Sequence, residues 1–342
     1  MKNNKLIIER LTALWALNES GLGGFLHVFS SPFTGILVGG IAILLISLIA
    51  WYADNVWRSV MKALLIVLVI KAAVSPHSPL TAYLAVSFQG VLGAFLFANF
   101  SWKGMAPALL GILTFLESAL QKLLVLSIIY GAPLWQAVNS YGAWVVEKFG
   151  YTEAPSATLV LVSAYLLLYA VCGLLAGFFI QSIIKLINRR ENHPEFIVHF
   201  HQTFQKKTKK NSAFRGKFLF VWGLTIALIL AAFAIFGGEL GGWQKAIYIV
   251  LRSFLVLMLW YLVAGPVLLK LLRRYLAGKG AKYREDIHNA LDLFPYFRSI
   301  ISYTWKSTKT LKGYARFKHF IAYSILYSIH FKIKPDDLSP HR

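Results

Sequence analysis

Near-uninterrupted apolar stretches of about 20 residues recur along this chain, and that is the length a helix needs to cross the hydrocarbon core of a bilayer. The runs at 35–53, 56–74, 80–100, 106–130, 158–187, 218–237 and 243–266 all meet it. Inside a bilayer, backbone N–H and C=O groups find no water, so such runs must satisfy themselves as helices. The predicted fold is therefore all-α, a polytopic membrane bundle. A weaker helix at 11–29 precedes the others, interrupted by Asn18, Glu19, Gly21, Gly23 and Gly24. Polar and helix-breaking residues survive in lipid only where protein satisfies them, so this helix is expected to face protein. Counting it, about eight transmembrane helices are expected.

Charge gives the orientation. The chain carries 35 Lys and Arg against 14 Asp and Glu, a net charge of +21. Residues 1–180 hold 9 basic and 6 acidic residues, whereas 181–342 hold 26 and 8. In a soluble chain the second half would read as nucleic-acid binding. Here the basic residues flank apolar runs, so the positive-inside rule and contact with anionic lipid account for them, and no nucleic-acid partner is expected. With the N-terminus in the cytoplasm, the inside segments carry Lys2, Lys5 and Arg10, then Arg58 and Lys62, then Lys103, then a strongly basic linker. The outside segments at 30–34, 75–79 and 237–242 carry no Lys or Arg, and 131–157 carries only Lys148. Both termini are thus expected on the cytoplasmic side of the inner membrane. The start MKNNKLIIER is basic, but no short apolar core with a small-residue cleavage site follows, so no cleaved signal is expected. The single cysteine, Cys172, lies in an apolar run and excludes an intrachain disulfide.

Three regions follow: a six-helix membrane domain at 1–187, a basic cytoplasmic linker at 188–216, and two transmembrane helices with basic amphipathic helices at 217–342. In LLKLLRRYLAGKG an apolar stripe faces away from Lys270, Arg273 and Arg274. The stretch IHNALDLFPYFRSIISYTWKSTKTLKGYARFKHF is again amphipathic and basic. Such helices lie in the membrane interface or dock on another subunit. The apolar run at 319–331 is too short to span. The segment 131–157 reads as a lid over an outward-facing pocket or as a plain connector.

Ionisable groups within spans are costly and mark candidate sites. Glu19, Lys71, Glu117 and Lys122 qualify. Glu117 and Gln121 are four apart and share a helix face. With Gln89 in the preceding helix, Lys71 near the end of its span and His77 just beyond, they make a candidate substrate pocket, with Trp135, Tyr141 and Trp144 available to stack on a flat organic ring. The bland alternative is a satisfied interhelical network with snorkelling lysines. Ala16, Ser20 and Gly24, each four apart, form a small-residue stripe that admits a neighbouring helix. His193, His199 and His201 match no strong zinc spacing. No phosphate-binding GxxxxGK[ST] loop, HExxH or acidic metal-binding cluster is present, so no cofactor is expected and ATP hydrolysis would need another protein.

On these residues the first six spans resemble the substrate-binding S component of energy-coupling factor transporters. The stripe Ala16/Ser20/Gly24 falls where that family docks its partner; SPFTGILVGG leads into the second helix; IKAAVSPHSPLTAYLAVSFQGVLGAF resembles the passage from the third helix to the fourth; and SALQKLLVLSIIYGAPLW ends the fifth. The C-terminal part looks, more loosely, like the T component of the same transporters. There a small-Arg-small triplet enters a groove of each ATPase subunit. Ala315-Arg316-Phe317 is the nearest match, departing at Phe317, and only two spans precede it. The resemblance implies uptake of a small organic nutrient such as a vitamin or precursor. It also implies coupling to separate ATP-binding cassette subunits through Arg273, Arg274 and Arg316, with a further transmembrane subunit possible. Two other readings stay open. One is a membrane scaffold using its basic surface. The other is a polytopic enzyme acting on a lipid or isoprenoid, with Glu117, Lys122 and His77 in acid–base roles.

Overall fold

The computed structural model describes residues 2–22, 34–75, 78–99, 104–149, 156–191, 193–200 and 242–333. They are helical throughout, apart from one two-residue strand pairing and the turns. The helices are α1 (Lys2–Leu17), α2 (Thr34–Tyr52), α3 (Val56–Val74), α4 (Leu80–Asn99), α5 (Ala106–Tyr130), α6 (Ala132–Lys148), α7 (Ala157–Arg190), α8 (Gly242–Leu259), α9 (Gly265–Gly280), α10 (Arg284–Asp292), α11 (Phe294–Ser307) and α12 (Gly313–His330). The strands β1 (His199–Phe200) and β2 (Lys332–Ile333) pair in parallel. Four helices are long and apolar enough to cross a membrane: Gly35–Tyr52, Leu80–Asn99, Ala106–Tyr130 and Ala157–Arg190. The α3 run is apolar too, but Arg58, Lys62 and Lys71 charge it more heavily. The expected span at 218–237 and most of the expected linker lie outside the described residues.

Two compact units emerge. The first comprises Met1–Gln121, Tyr165–Phe204 and Val267–Arg342; the second comprises Lys122–Ala164 and Gln205–Pro266. In the first, α1 packs against α2 and α3 on one side and against α10, α11 and α12 on another. Helix α2 is apolar on every face because it is surrounded: 67% of its span is buried, against 11% of the α7 span. The latter is the pattern of a helix bathed in lipid. Helix α7 runs for 34 residues, about 51 Å at 1.5 Å per residue, well beyond a ~30 Å hydrocarbon core. Helices α5 and α7 meet backbone to backbone. A Cβ on Gly111 would strike the Gly173 carbonyl oxygen, and one on Gly177 would strike the Ala108 backbone. Only small residues permit that approach.

Three local expectations are corrected. The helix expected at 11–29 begins nine residues earlier, at Lys2, and passes into a π turn at Asn18–Leu22; the expected residues 23–29 lie outside the described ones. The 131–157 segment is largely helix α6, not a loop. It is entered through Gly131 at φ +69°, a left-handed conformation natural to glycine. The span expected to stop at Pro266 instead passes through a π turn at Trp260–Ala264 and continues as α9, with the Gly265 N–H donating to the Trp260 carbonyl. The wider turn accommodates the N–H that Pro266 lacks.

In the second unit, Arg252 and Ser253 of α8 donate to the carbonyls of Tyr130 (3.4 Å) and Ile129 (3.1 Å). These are among the carbonyls a helix end leaves without partners. In the first unit the C-terminal helices are held to α1. Arg10 Nη1 donates to the Ile329 carbonyl at 2.8 Å, and its guanidinium lies 4.3 Å from the centre of the Phe331 ring. Lys62 on α3 bonds Asp286 on α10 at 2.9 Å.

Candidate functional site

Two polar clusters interrupt the apolar interior of the first unit. The first sits where α1 gives way to its π turn. Glu19 Oε2 and Lys71 Nζ form an ion pair at 2.8 Å, with both side chains only 3% exposed. The ammonium also donates to the Glu19 carbonyl at 3.3 Å. Asn18 donates to Glu19 Oε1 at 3.5 Å and to the Val38 carbonyl of α2 at 3.0 Å. A buried ion pair holds only where further hydrogen bonds satisfy its remaining atoms, and these contacts supply them. The π turn sets the geometry: the extra residue per turn swings Glu19 towards α3.

The second cluster is a seam among α2, α4 and α5. Gly39 on α2 leaves room there. A Cβ at that position would stand 3.6 Å from Gln89 Nε2 and 3.8 Å from Thr114 Cγ2. One turn along, Gln121 donates to Glu117 Oε1 and to the Thr81 carbonyl at 3.4 Å. Gln89 and Thr114 are buried. Gln89 Oε1, Thr114 Oγ1 and Glu117 Oε2 find no hydrogen-bond partner among the described residues. Buried polar atoms are rarely left so. Three of them on α4 and α5 make this seam the candidate site. Glu117 accepts from Gln121 and keeps one oxygen for another donor.

The structure therefore divides the expected substrate-binding residues. Glu117 and Gln121 bond one another, and Gln89 lies beside Gly39 with Thr114, three residues before Glu117. Lys71 does not join them, because Glu19 engages it. His77 lies outside the described residues. Trp135 belongs to the second unit, where its carbonyl accepts from Thr158 Oγ1 at 3.0 Å. Tyr141 and Trp144 stack on one another there, with ring centres 5.8 Å apart. Lys122 is exposed. In the small-residue stripe, Ala16 and Ser20 are buried among the chain's own helices, with Ser20 donating to the Ala16 carbonyl at 2.6 Å. Gly24 lies outside the described residues. Arg273 and Arg274 are exposed on α9. Arg316 lies over the Trp305 ring at 4.2 Å and donates to the Trp305 carbonyl at 3.5 Å, so the triplet arginine is folded onto α11. Among the described residues no group of His, Cys, Asp or Glu is arranged to hold a metal. His193 is beside Glu195 at 3.6 Å.

Sequence reasoning missed three residues or contacts. Thr114 is three residues before Glu117 and shares its face, a spacing that flags it. Gly173 and Gly177 form a small-xxx-small pair, and it is this pair that makes the tight interhelical contact. Arg10 is more than an inside charge: it is 8% exposed and bonded to the far end of the chain. Compared with known protein families, curated proteins and solved structures, the chain matches none.

Proposed function

We propose that this chain is a multi-pass membrane subunit of an uptake system, holding a small organic solute at the Gln89–Thr114–Glu117–Gln121 seam and drawing energy from separate ATP-binding cassette subunits. The observation that carries the reading is the set of unpartnered buried atoms on α4 and α5. The seam lies in a bundle whose helices are apolar enough to span a bilayer, where polar groups without partners are expensive and mark solute paths. The wider scheme has eight spans and both termini in the cytoplasm. The resemblance to energy-coupling factor transporters supplies the partners. Arg273, Arg274 and Arg316 form the coupling surface, suited to it by a planar fork that pairs with carboxylates and carbonyls. Ala16 and Ser20 serve the bundle's own packing in this scheme.

The test is purification of the tagged full-length protein from its native host in mild detergent, with mass spectrometry of the proteins and small molecules that accompany it. The reading expects P-loop ATPase subunits, lost on Arg316→Ala. It also expects a bound solute, lost on Glu117→Leu with Gln121→Leu. Absence of any ATPase, under conditions that preserve a control ATP-driven transporter, overturns the coupling and leaves a solitary binding protein or a scaffold.

A further inference from the structure

A cleft of about 840 Å³ opens in the first unit between α1, the turn joining α2 to α3, and helices α10 and α11. It is separate from both polar clusters described above. Arg10 forms part of its wall, and three observations make that arginine unusual. It is more than nine-tenths buried. Its Nε finds no partner among the described residues. No carboxylate there lies within ion-pair distance of it, its bonded partner being the Ile329 carbonyl. Neighbouring Glu9 acts on the arginine only at a distance. A buried charge without a carboxylate in direct contact is costly, and one on the wall of a cleft of molecular size is a candidate anion site.

The rest of the lining narrows the ligand. Asp54 and Asp292 also border the cleft and are exposed, whereas Arg10 is buried. The other charges of the lining pair off, Lys5 with Glu9 at 3.9 Å and Lys62 with Asp286 at 2.9 Å, so the mouth keeps a net negative charge above a cationic floor. A simple anion would be repelled at the mouth. A molecule with an anionic group at one end and an ammonium at the other matches both. The location adds a further constraint. Trp51 and Trp57, on either side of the α2–α3 turn, are 50% and 47% exposed, as tryptophans are where a span meets the headgroup layer.

We infer that this cleft binds a phosphoethanolamine-type group, its phosphate on the Arg10 guanidinium and its ammonium between Asp54 and Asp292. The group is either the headgroup of an aminophospholipid or the free phosphomonoester. The inference is independent of the uptake reading, since it uses none of the seam residues.

The experiment uses the full-length protein in detergent. Binding of O-phosphorylethanolamine is measured by calorimetry, and binding of phosphatidylethanolamine, phosphatidylcholine and phosphatidylglycerol by native mass spectrometry from mixed nanodiscs. Saturable binding is expected for phosphatidylethanolamine, the free compound or both. Inorganic phosphate and ethanolamine, each alone, should bind at least about tenfold more weakly, the size of a lost charged hydrogen bond. Retention of the lipid alone identifies the headgroup as the ligand; binding of both identifies the shared chemistry. Arg10→Gln removes the floor contact but also the bond to Ile329. The exposed pair Asp54→Asn with Asp292→Asn is therefore the second variant, expected to weaken binding about tenfold while leaving the melting temperature unchanged. The inference fails if neither ligand binds, if phosphatidylglycerol is retained as well as phosphatidylethanolamine, or if the aspartate pair binds as tightly as the parent.

Discussion

The Glu19–Lys71 pair and the Gln89–Glu117 seam are both polar intrusions into an apolar bundle, yet they are finished differently. The pair is closed. Each charge has the other, the π turn supplies a carbonyl, and Asn18 fastens the group to α2, its own Oδ1 being the oxygen of the cluster without a partner among the described residues. The seam is open, with three oxygens lacking partners and a glycine where a side chain would fit. Intramembrane charge alone therefore does not mark a solute site. A charge that is fully answered inside the protein holds helices together, and a polar atom left unanswered is the one available to a ligand. By that standard the lysine belongs to the packing, and the amides and carboxyl of α4 and α5 are the groups that the proposed uptake reading uses.

The largest effect should come from breaking the closed cluster. Lys71→Met leaves Glu19 buried without its counter-charge and should destabilise the protein by about 3–5 kcal/mol. Glu19→Leu combined with Lys71→Leu should recover most of that loss. Unfolding of the purified variants by SDS titration reads both, and a double variant as unstable as the single one would break the comparison. Next in size is the contact that frames the seam from behind. Gly173→Leu drives a side chain into the α5 backbone and should cost about 1–3 kcal/mol. A stable Gly173→Leu variant would show that α5, and with it the seam, is positioned by something other than α7.

The open cluster should respond in the opposite sense. Glu117→Leu removes a half-satisfied carboxyl and should be neutral or mildly stabilising, within about 1 kcal/mol, while abolishing solute retention. A loss of stability like that of Lys71→Met would mean the seam is structural as well. The smallest effect lies at the end of α12, which is not among the helices apolar enough to span a membrane. Burial lowers the pKa of His330 below its ordinary 6.5, nearby Glu191 opposing the shift and Arg10 adding to it. The unfolded chain takes up this proton more readily, so stability should be complete above about pH 6.5 and fall as the pH drops through the folded-state value. His330→Gln should flatten that slope in melting curves between pH 7 and 5, and acid sensitivity that survives it belongs elsewhere in the molecule.

Much of the architecture was legible because one physical rule governs it: lipid forces long apolar runs into helices. The seam was partly legible too, since Glu117 and Gln121 share a face by spacing and Gln89 stands out in an apolar run. Glu19 and Lys71 were each recognisable as costly, but not as partners, because 52 residues separate them and only the π turn turns one towards the other. What the small-residue stripe at Ala16 and Ser20 packs against was not legible for a related reason. Small residues mark close packing, and whether the neighbour is the same chain or another depends on how the helices assemble. The cleft beside Arg10 was invisible, since its walls come from residues near both ends of the sequence.

That last tie has a consequence for biogenesis. Arg10 is made before its acceptor, the Ile329 carbonyl, which comes 319 residues later. At ~5–20 residues per second, the arginine waits roughly 15–65 s for the strand of chain that completes its surroundings. During that interval α1 has α2 and α3 beside it but lacks α10, α11 and α12, and the Arg10 guanidinium must stay with water or another acceptor. Closure of the first unit around α1 thus waits for residue 329. A truncation just before Ile329 would leave that side of α1 unsealed.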